Sequence, residues 1–182
     1  MNSIGNKPDG KGEAETLSPA LDPQIEAAAA RVLENACARK LTLATAESCT
    51  GGLLSSLLTD VEGASRAFER GFIVYSEEAK CELLGIRAEQ IDRCGAVSKE
   101  VAIAMVEGAI TQSHADIALA VTGFAGEAAP DDEPGLVHFA CMRRDGKIQH
   151  REEHFGNIGR GPVRIASLGV ALEMIAEAIH DD

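Results

Sequence analysis

Apolar and polar positions first fall into a regular pattern at Asp22-Pro23, an N-cap followed by proline at the first helical position. From Gln24 to Cys37 the residues Ile25, Ala28, Ala29, Val32 and Ala36 recur at helical spacing, which predicts an amphipathic helix. LTLATA, from Leu41, then reads as a short strand. The turn Glu47-Ser48-Cys49-Thr50-Gly51-Gly52 breaks it, and Leu53–Leu58 resumes in a helix-compatible pattern. Gly71–Tyr75 predicts a second strand, and Ser76 caps a helix whose first turn carries Glu77 and Glu78, closing near Leu84-Gly85. Ser98 caps a longer helix, Lys99 to about Thr111, with Val101, Ala102, Met105, Val106 and Ala109 along one face. Asp116–Val121 is a continuous apolar run of the kind a buried sheet uses, and Gly135–Met142 is a fourth strand. Arg144-Asp145-Gly146 signals a hairpin into Ile148–Phe155, and Pro162–Ile179 closes the chain as a helix. Strands alternating with helices, followed by one hairpin, imply a three-layer α/β/α domain with a mixed sheet. Residues 1–20 are polar, without periodicity, and are expected to form a disordered leader to a single domain over 21–182.

Composition narrows what such a domain can do. The chain has 182 residues and a net charge of −12, a field that repels a nucleic-acid backbone. Aromatic residues make up only 3 %, with no Trp and a single tyrosine, Tyr75, which also argues against a base-stacking platform. The five cysteines are widely spaced and form no C-x-x-C pair, so neither a zinc ribbon nor a redox motif is indicated. The N-terminus has no apolar signal-peptide core, and no run approaches the roughly 18 apolar residues that span a bilayer. A cytoplasmic protein with no membrane partner and no nucleic-acid partner is the expected class.

Three stretches can carry chemistry. TAESCTGG, Thr45–Gly52, ends a strand in small residues before a helix, a turn that can cradle a phosphate or hold an oxyanion beside a serine. Local chemistry alone favours a plain turn capped by Ser48 or Thr50, and the spacing fits neither a P-loop nor a G-x-S-x-G elbow. YSEEAK, Tyr75–Lys80, can bring a hydroxyl and an amine into one cleft, and a desolvated lysine can activate a serine. On its own it reads more readily as a solvated lysine and a packed tyrosine. VTGFAG, Val121–Gly126, ends a buried strand in a glycine turn, where open α/β sheets place ligands. His150-Arg-Glu-Glu-His154 matches a helical zinc pattern, but on a strand residues four apart are separated by about 13 Å, so no metal site is expected from it.

TAESCTGG, DVEGASRAFERGFIVYSEEAKCELLGI, GAVSKEVAIAMVEGA and ADIALAVTGFAG together resemble the C-terminal domain of the competence/damage-inducible CinA proteins. The resemblance runs collinearly from about Leu41 to the end of the chain and is strongest over Thr45–Gly126. It implies a nicotinamide-nucleotide amidohydrolase, which converts nicotinamide mononucleotide to nicotinate mononucleotide and ammonia without metal or cofactor. It further implies Ser48 as nucleophile, Lys80 as its base and Tyr75 beside them. Thr50, Gly51 and Gly52 would flank the ligand, the two glycines as backbone donors, while Thr122 and Gly123 fall on the family's TG-x-AG stretch. The nucleotide substrate is the expected small-molecule partner, and a homo-oligomer the expected assembly.

Two stretches depart from the family pattern. Its TG-x-AG is usually followed by Pro-Gly-Gly, whereas here the chain reads GEAAPDDEPG, placing Asp131, Asp132 and Glu133 near the expected phosphate. Before the last helix, FGNIGRGPVR stands where the family has Gly-Asp-Arg; Arg160 aligns with that arginine and Arg164 competes. These departures leave open a nucleotide-binding module of weak or no activity, or an amidohydrolase for a different amide.

Overall fold

The computed structural model describes residues 21–126, 132–144 and 146–181; the expected leader, Asp131 and Asp145 lie outside these residues. Among them are six α-helices, α1 (Pro23–Arg39), α2 (Leu53–Thr59), α3 (Glu77–Leu84), α4 (Ala88–Cys94), α5 (Lys99–Thr111) and α6 (Arg160–His180). Five strands, β1 (Leu43–Glu47), β2 (Phe68–Ile73), β3 (Ile117–Gly123), β4 (Leu136–Arg143) and β5 (Ile148–His154), form one sheet in the order β2-β1-β3-β4-β5. The first three run parallel, and β4 and β5 pair antiparallel. None of the helices is long and apolar enough to cross a membrane.

Alternation along the strands assigns the two faces. Leu43, Leu119, Val121, Val137, Phe139 and Cys141 pack beneath α1, α2 and α6, while Ala44, Ala46, Ala118, Ala120 and Ala140 meet α3, α4 and α5. The domain is therefore the three-layer α/β/α arrangement with a mixed sheet. Alanines on the second face let α5 lie close to the strands, and burial of the branched and aromatic side chains on both faces drives the assembly. Local signals act as the sequence implies: Asp22 Oδ1 accepts from Gln24 N, Ser76 Oγ from Ala79 N and Ser98 Oγ from Val101 N.

Two elements differ from the expectation. β2 occupies Phe68–Ile73 rather than Gly71–Tyr75, so Tyr75 lies beyond the strand, because FERGFI is an edge strand with a mixed polar pattern. The short α4 has no capping side chain to announce it.

β1 lies between β2 and β3, with α2 leaving its C-terminal end on one face and α3 following β2 on the other. That is the crevice where open α/β sheets place ligands. The position of α3 depends on Gly108 of α5, where a Cβ would stand 2.3 Å from the Leu84 carbonyl oxygen. Gly108→Ala is expected to push α3 outward at a cost of about 1–3 kcal/mol. Because α3 also carries Lys80, a calorimetric melt should fall by several degrees and catalysis should fall with it.

Candidate active site

The site begins with a sharp turn. Ser48 N donates to Val121 O, which holds the serine at the end of β1. Gly51 and Gly52 then adopt φ of 60° and 90°, left-handed values that suit glycine, and deliver the chain into α2. The turn folds around Glu47, a fully buried carboxylate. Its Oε2 accepts from Thr50 Oγ1 (2.7 Å), Gly52 N (3.1 Å) and Leu54 N (3.0 Å), and its Oε1 from Ser55 N (2.7 Å) and Ser55 Oγ (2.5 Å). A carboxylate thus satisfies the first amides of α2 in place of a conventional cap. Arg164 of α6 clamps the turn from outside, its Nη2 and Nε donating to Thr50 O at 2.6 and 3.2 Å.

Lys80 reaches this turn from the inner face of α3, where it and Leu84 are the buried residues one helical turn apart. Only 2 % of it is exposed. Its Nζ lies 3.1 Å from Ser48 Oγ and 3.0 Å from Val74 O. Burial lowers the Lys80 pKa, with the negative charge of Glu77 only partly opposing it. The neutral amine is therefore accessible below the ordinary lysine range, and in that form Nζ accepts the Ser48 hydroxyl hydrogen. Cys49, the neighbouring thiol, is the other candidate nucleophile, but burial pushes it up to about 12, so it stays protonated at neutral pH.

Linkage fixes the sign of the pH dependence. The folded state holds the Lys80 proton less tightly than the unfolded chain, so raising pH from the folded pKa toward the unfolded one favours both the fold and the free base. A kcat/KM profile should accordingly climb with pH, its rising limb centred below the ordinary lysine range.

Around this pair the other expected residues are distributed unevenly. Thr50 is buried, its hydroxyl committed to Glu47. The expectation that Gly51 and Gly52 present N–H groups to a ligand gives way to a different arrangement. Gly51 N donates to Ser48 O and Gly52 N to Glu47, since forming the turn consumes both donors. Thr122, also buried, donates from Oγ1 to Ala96 O at 2.8 Å and so ties β3 to the segment entering α5. Gly123 ends β3 opposite Val137 of β4. Tyr75 is 61 % exposed just before α3, where its hydroxyl accepts from Arg160 Nη2 at 2.7 Å. Arg160 is exposed at the start of α6, close to Gly126, while the competing Arg164 is engaged on the turn. Glu133 of the acidic loop pairs with His154 Nδ1 at 2.8 Å. Sequence reasoning missed Glu47, although an acid immediately before a Ser-x-Thr-Gly-Gly turn into a helix was the available signal.

The family described as CinA C-terminal domain matches residues 25–179. The chain belongs to the CinA C-terminal domain family. It is 40% identical over 140 residues to the nicotinamide-nucleotide amidohydrolase PncC of Escherichia coli, a match covering 76% of this chain and 84% of that protein. It is 47% identical over 163 residues to a protein of Acetivibrio thermocellus named for competence-damage induction. That match takes in 88% of this chain but only 38% of the relative, so this CinA-type domain spans well under half the relative's length. Among solved structures, the competence/damage inducible protein CihA of Agrobacterium tumefaciens matches with a TM-score of 0.85 and 38% identity, over 90% of this chain and 100% of that one.

Proposed function

We propose that this chain is a nicotinamide-nucleotide amidohydrolase that cleaves the carboxamide of nicotinamide mononucleotide to nicotinate mononucleotide and ammonia. The observation that carries the reading is the 3.1 Å contact between Lys80 Nζ and Ser48 Oγ beyond the C-terminal end of β1. The 40% identity to the Escherichia coli enzyme supports the choice of substrate class.

In this mechanism neutral Lys80 takes the Ser48 proton as Oγ attacks the amide carbon. The resulting oxyanion is met by turn amides. With Gly51 and Gly52 N–H already engaged, the N–H groups of Cys49 and Thr50, whose partner is the buried Cys49 sulfur, are the turn donors that the oxyanion would take over. The Lys80 ammonium then returns its proton to the departing nitrogen, ammonia leaves, and Ser48 holds the nicotinate as an ester. Water attacks that ester, giving a proton to Lys80, and the proton passes back to Oγ as the acid departs. Arg160 at the mouth is the cation available to the substrate phosphate, because Arg164 is occupied in holding the turn.

The test is ammonia release from nicotinamide mononucleotide beside free nicotinamide, nicotinamide riboside and glutamine. The reading expects the nucleotide to be the preferred substrate by a wide margin. Binding of the nucleotide with no ammonia released would instead mark a binding module, and preference for another amide would replace the substrate.

A further inference from the structure

The β4–β5 hairpin sets His138 directly opposite Glu152 and His150 opposite Ala140, so all three polar side chains lie on the sheet face shared with α5. His138 is buried, His150 half-buried and Glu152 exposed at the sheet edge. His138 Nδ1 stands 3.2 Å from His150 Nε2 and 3.4 Å from Glu152 Oε2, and the three ligand atoms lie within 4.8 Å of one another. We propose that His138, His150 and Glu152 form a binding site for a divalent transition metal of the zinc class, one that shares no residue with the Ser48–Lys80 pair.

The spacing matches the chemistry. A tetrahedral ion with bonds of about 2.0–2.1 Å places neighbouring ligand atoms about 3.3–3.4 Å apart, close to the two separations already present. The two rings are stacked with centroids 5.4 Å apart and an interplanar angle of 27°. Ion binding would displace the hydrogen shared between His138 Nδ1 and His150 Nε2 and place the ring hydrogens on His138 Nε2 and His150 Nδ1, which turns both facing lone pairs to the ion.

The carboxylate is oriented as well. Glu152 Oε1 accepts from His154 Nε2 at 3.1 Å, and His154 Nδ1 contacts Glu133 at 2.8 Å, leaving Glu152 Oε2 turned toward the imidazoles. Among the neighbouring charges, Glu152 and Glu100 favour a cation while Lys99 and His154 oppose one. Three protein ligands leave the fourth position to water.

The experiment uses the full chain, freed of any affinity tag and of metal, titrated with Zn2+ by calorimetry and with Co2+ by visible absorption. The proposal expects one ion per chain, tetrahedral-type cobalt bands and a Zn2+-dependent rise in melting temperature. Affinity should fall at least tenfold in both His150→Ala and Glu152→Gln. Glu152 is exposed, so Glu152→Gln keeps the test valid should His150→Ala fold poorly, and catalytic activity should be unchanged in both. Failure of the parent chain to bind Zn2+, or undiminished binding by Glu152→Gln and a folded His150→Ala, overturns the proposal.

Discussion

Lys80→Met is expected to lower amide hydrolysis by about 10²–10⁴-fold, the usual contribution of a positioned general base. The substitution keeps most of the side-chain volume in a site only 2 % exposed and removes the amine that touches Ser48 Oγ. Stability should move the other way from activity. A buried lysine whose charged form is disfavoured weakens the fold at neutral pH, and methionine carries no such penalty, against which stand the lost bonds to Val74 O and Ser48 Oγ. A variant that melts no lower than the parent yet releases almost no ammonia would identify Lys80 as a catalytic group. Equal loss of melting temperature and activity would reduce it to a structural one.

Glu47→Ala should produce the largest loss of stability of any single change in the turn. Its carboxylate receives five hydrogen bonds from Thr50, Gly52, Leu54 and Ser55, and of these donors Ser55 Oγ also has Thr45 Oγ1 within reach at 2.8 Å. Each buried donor left unpaired costs about 1–3 kcal/mol, so a total of roughly 4 kcal/mol or more is expected. In a chain of this size that lowers the melting temperature by roughly 10 °C. Activity should fall as well, because the same bonds set the direction in which Ser48 leaves β1. Glu47→Gln retains one acceptor oxygen but turns an amide toward backbone donors, so it should lie between the alanine variant and the parent. Thermal melts of the three proteins side by side give the order, and a Glu47→Ala melt equal to the parent would contradict this role for the carboxylate.

What the sequence revealed depended on how local each feature is. The strand, small-residue turn and helix at Thr45–Leu58 were readable because glycine and cap chemistry act over a few residues. The Ser76 and Ser98 caps were readable for the same reason. The sequence pattern sets edge strand β2 too far along the chain because its solvent-facing start resembles a loop until β1 pairs with it. Ser48 and Lys80 are 32 residues apart, and only tertiary folding of α3 against the sheet brings them together. Without the family resemblance, YSEEAK reads as an ordinary helix start. Glu47 went unrecognised because its partners reach as far as Ser55, and only the left-handed glycines fold them around one carboxylate. His138 and His150 follow the same logic, since strand register, not a contiguous motif, sets their contact. The pattern His150-x-x-Glu153-His154 pointed along a single strand, whereas the clustered side chains come from two.

Acidity too acquires a local meaning. The chain's net charge of −12 opposes a phosphate-bearing substrate, yet the cleft mouth carries Arg160 on Tyr75, and Glu133 is paired with His154. Under the proposed function, Arg160 would meet the substrate phosphate locally despite the overall field.

The most direct measurement is ammonia release from saturating nicotinamide mononucleotide by Ser48→Ala beside the parent chain, with nucleotide binding followed in both. The account predicts that both proteins bind the nucleotide, that the parent releases ammonia steadily, and that Ser48→Ala falls to background. Ammonia release by Ser48→Ala at the parent's rate would contradict a serine nucleophile and the mechanism built on it.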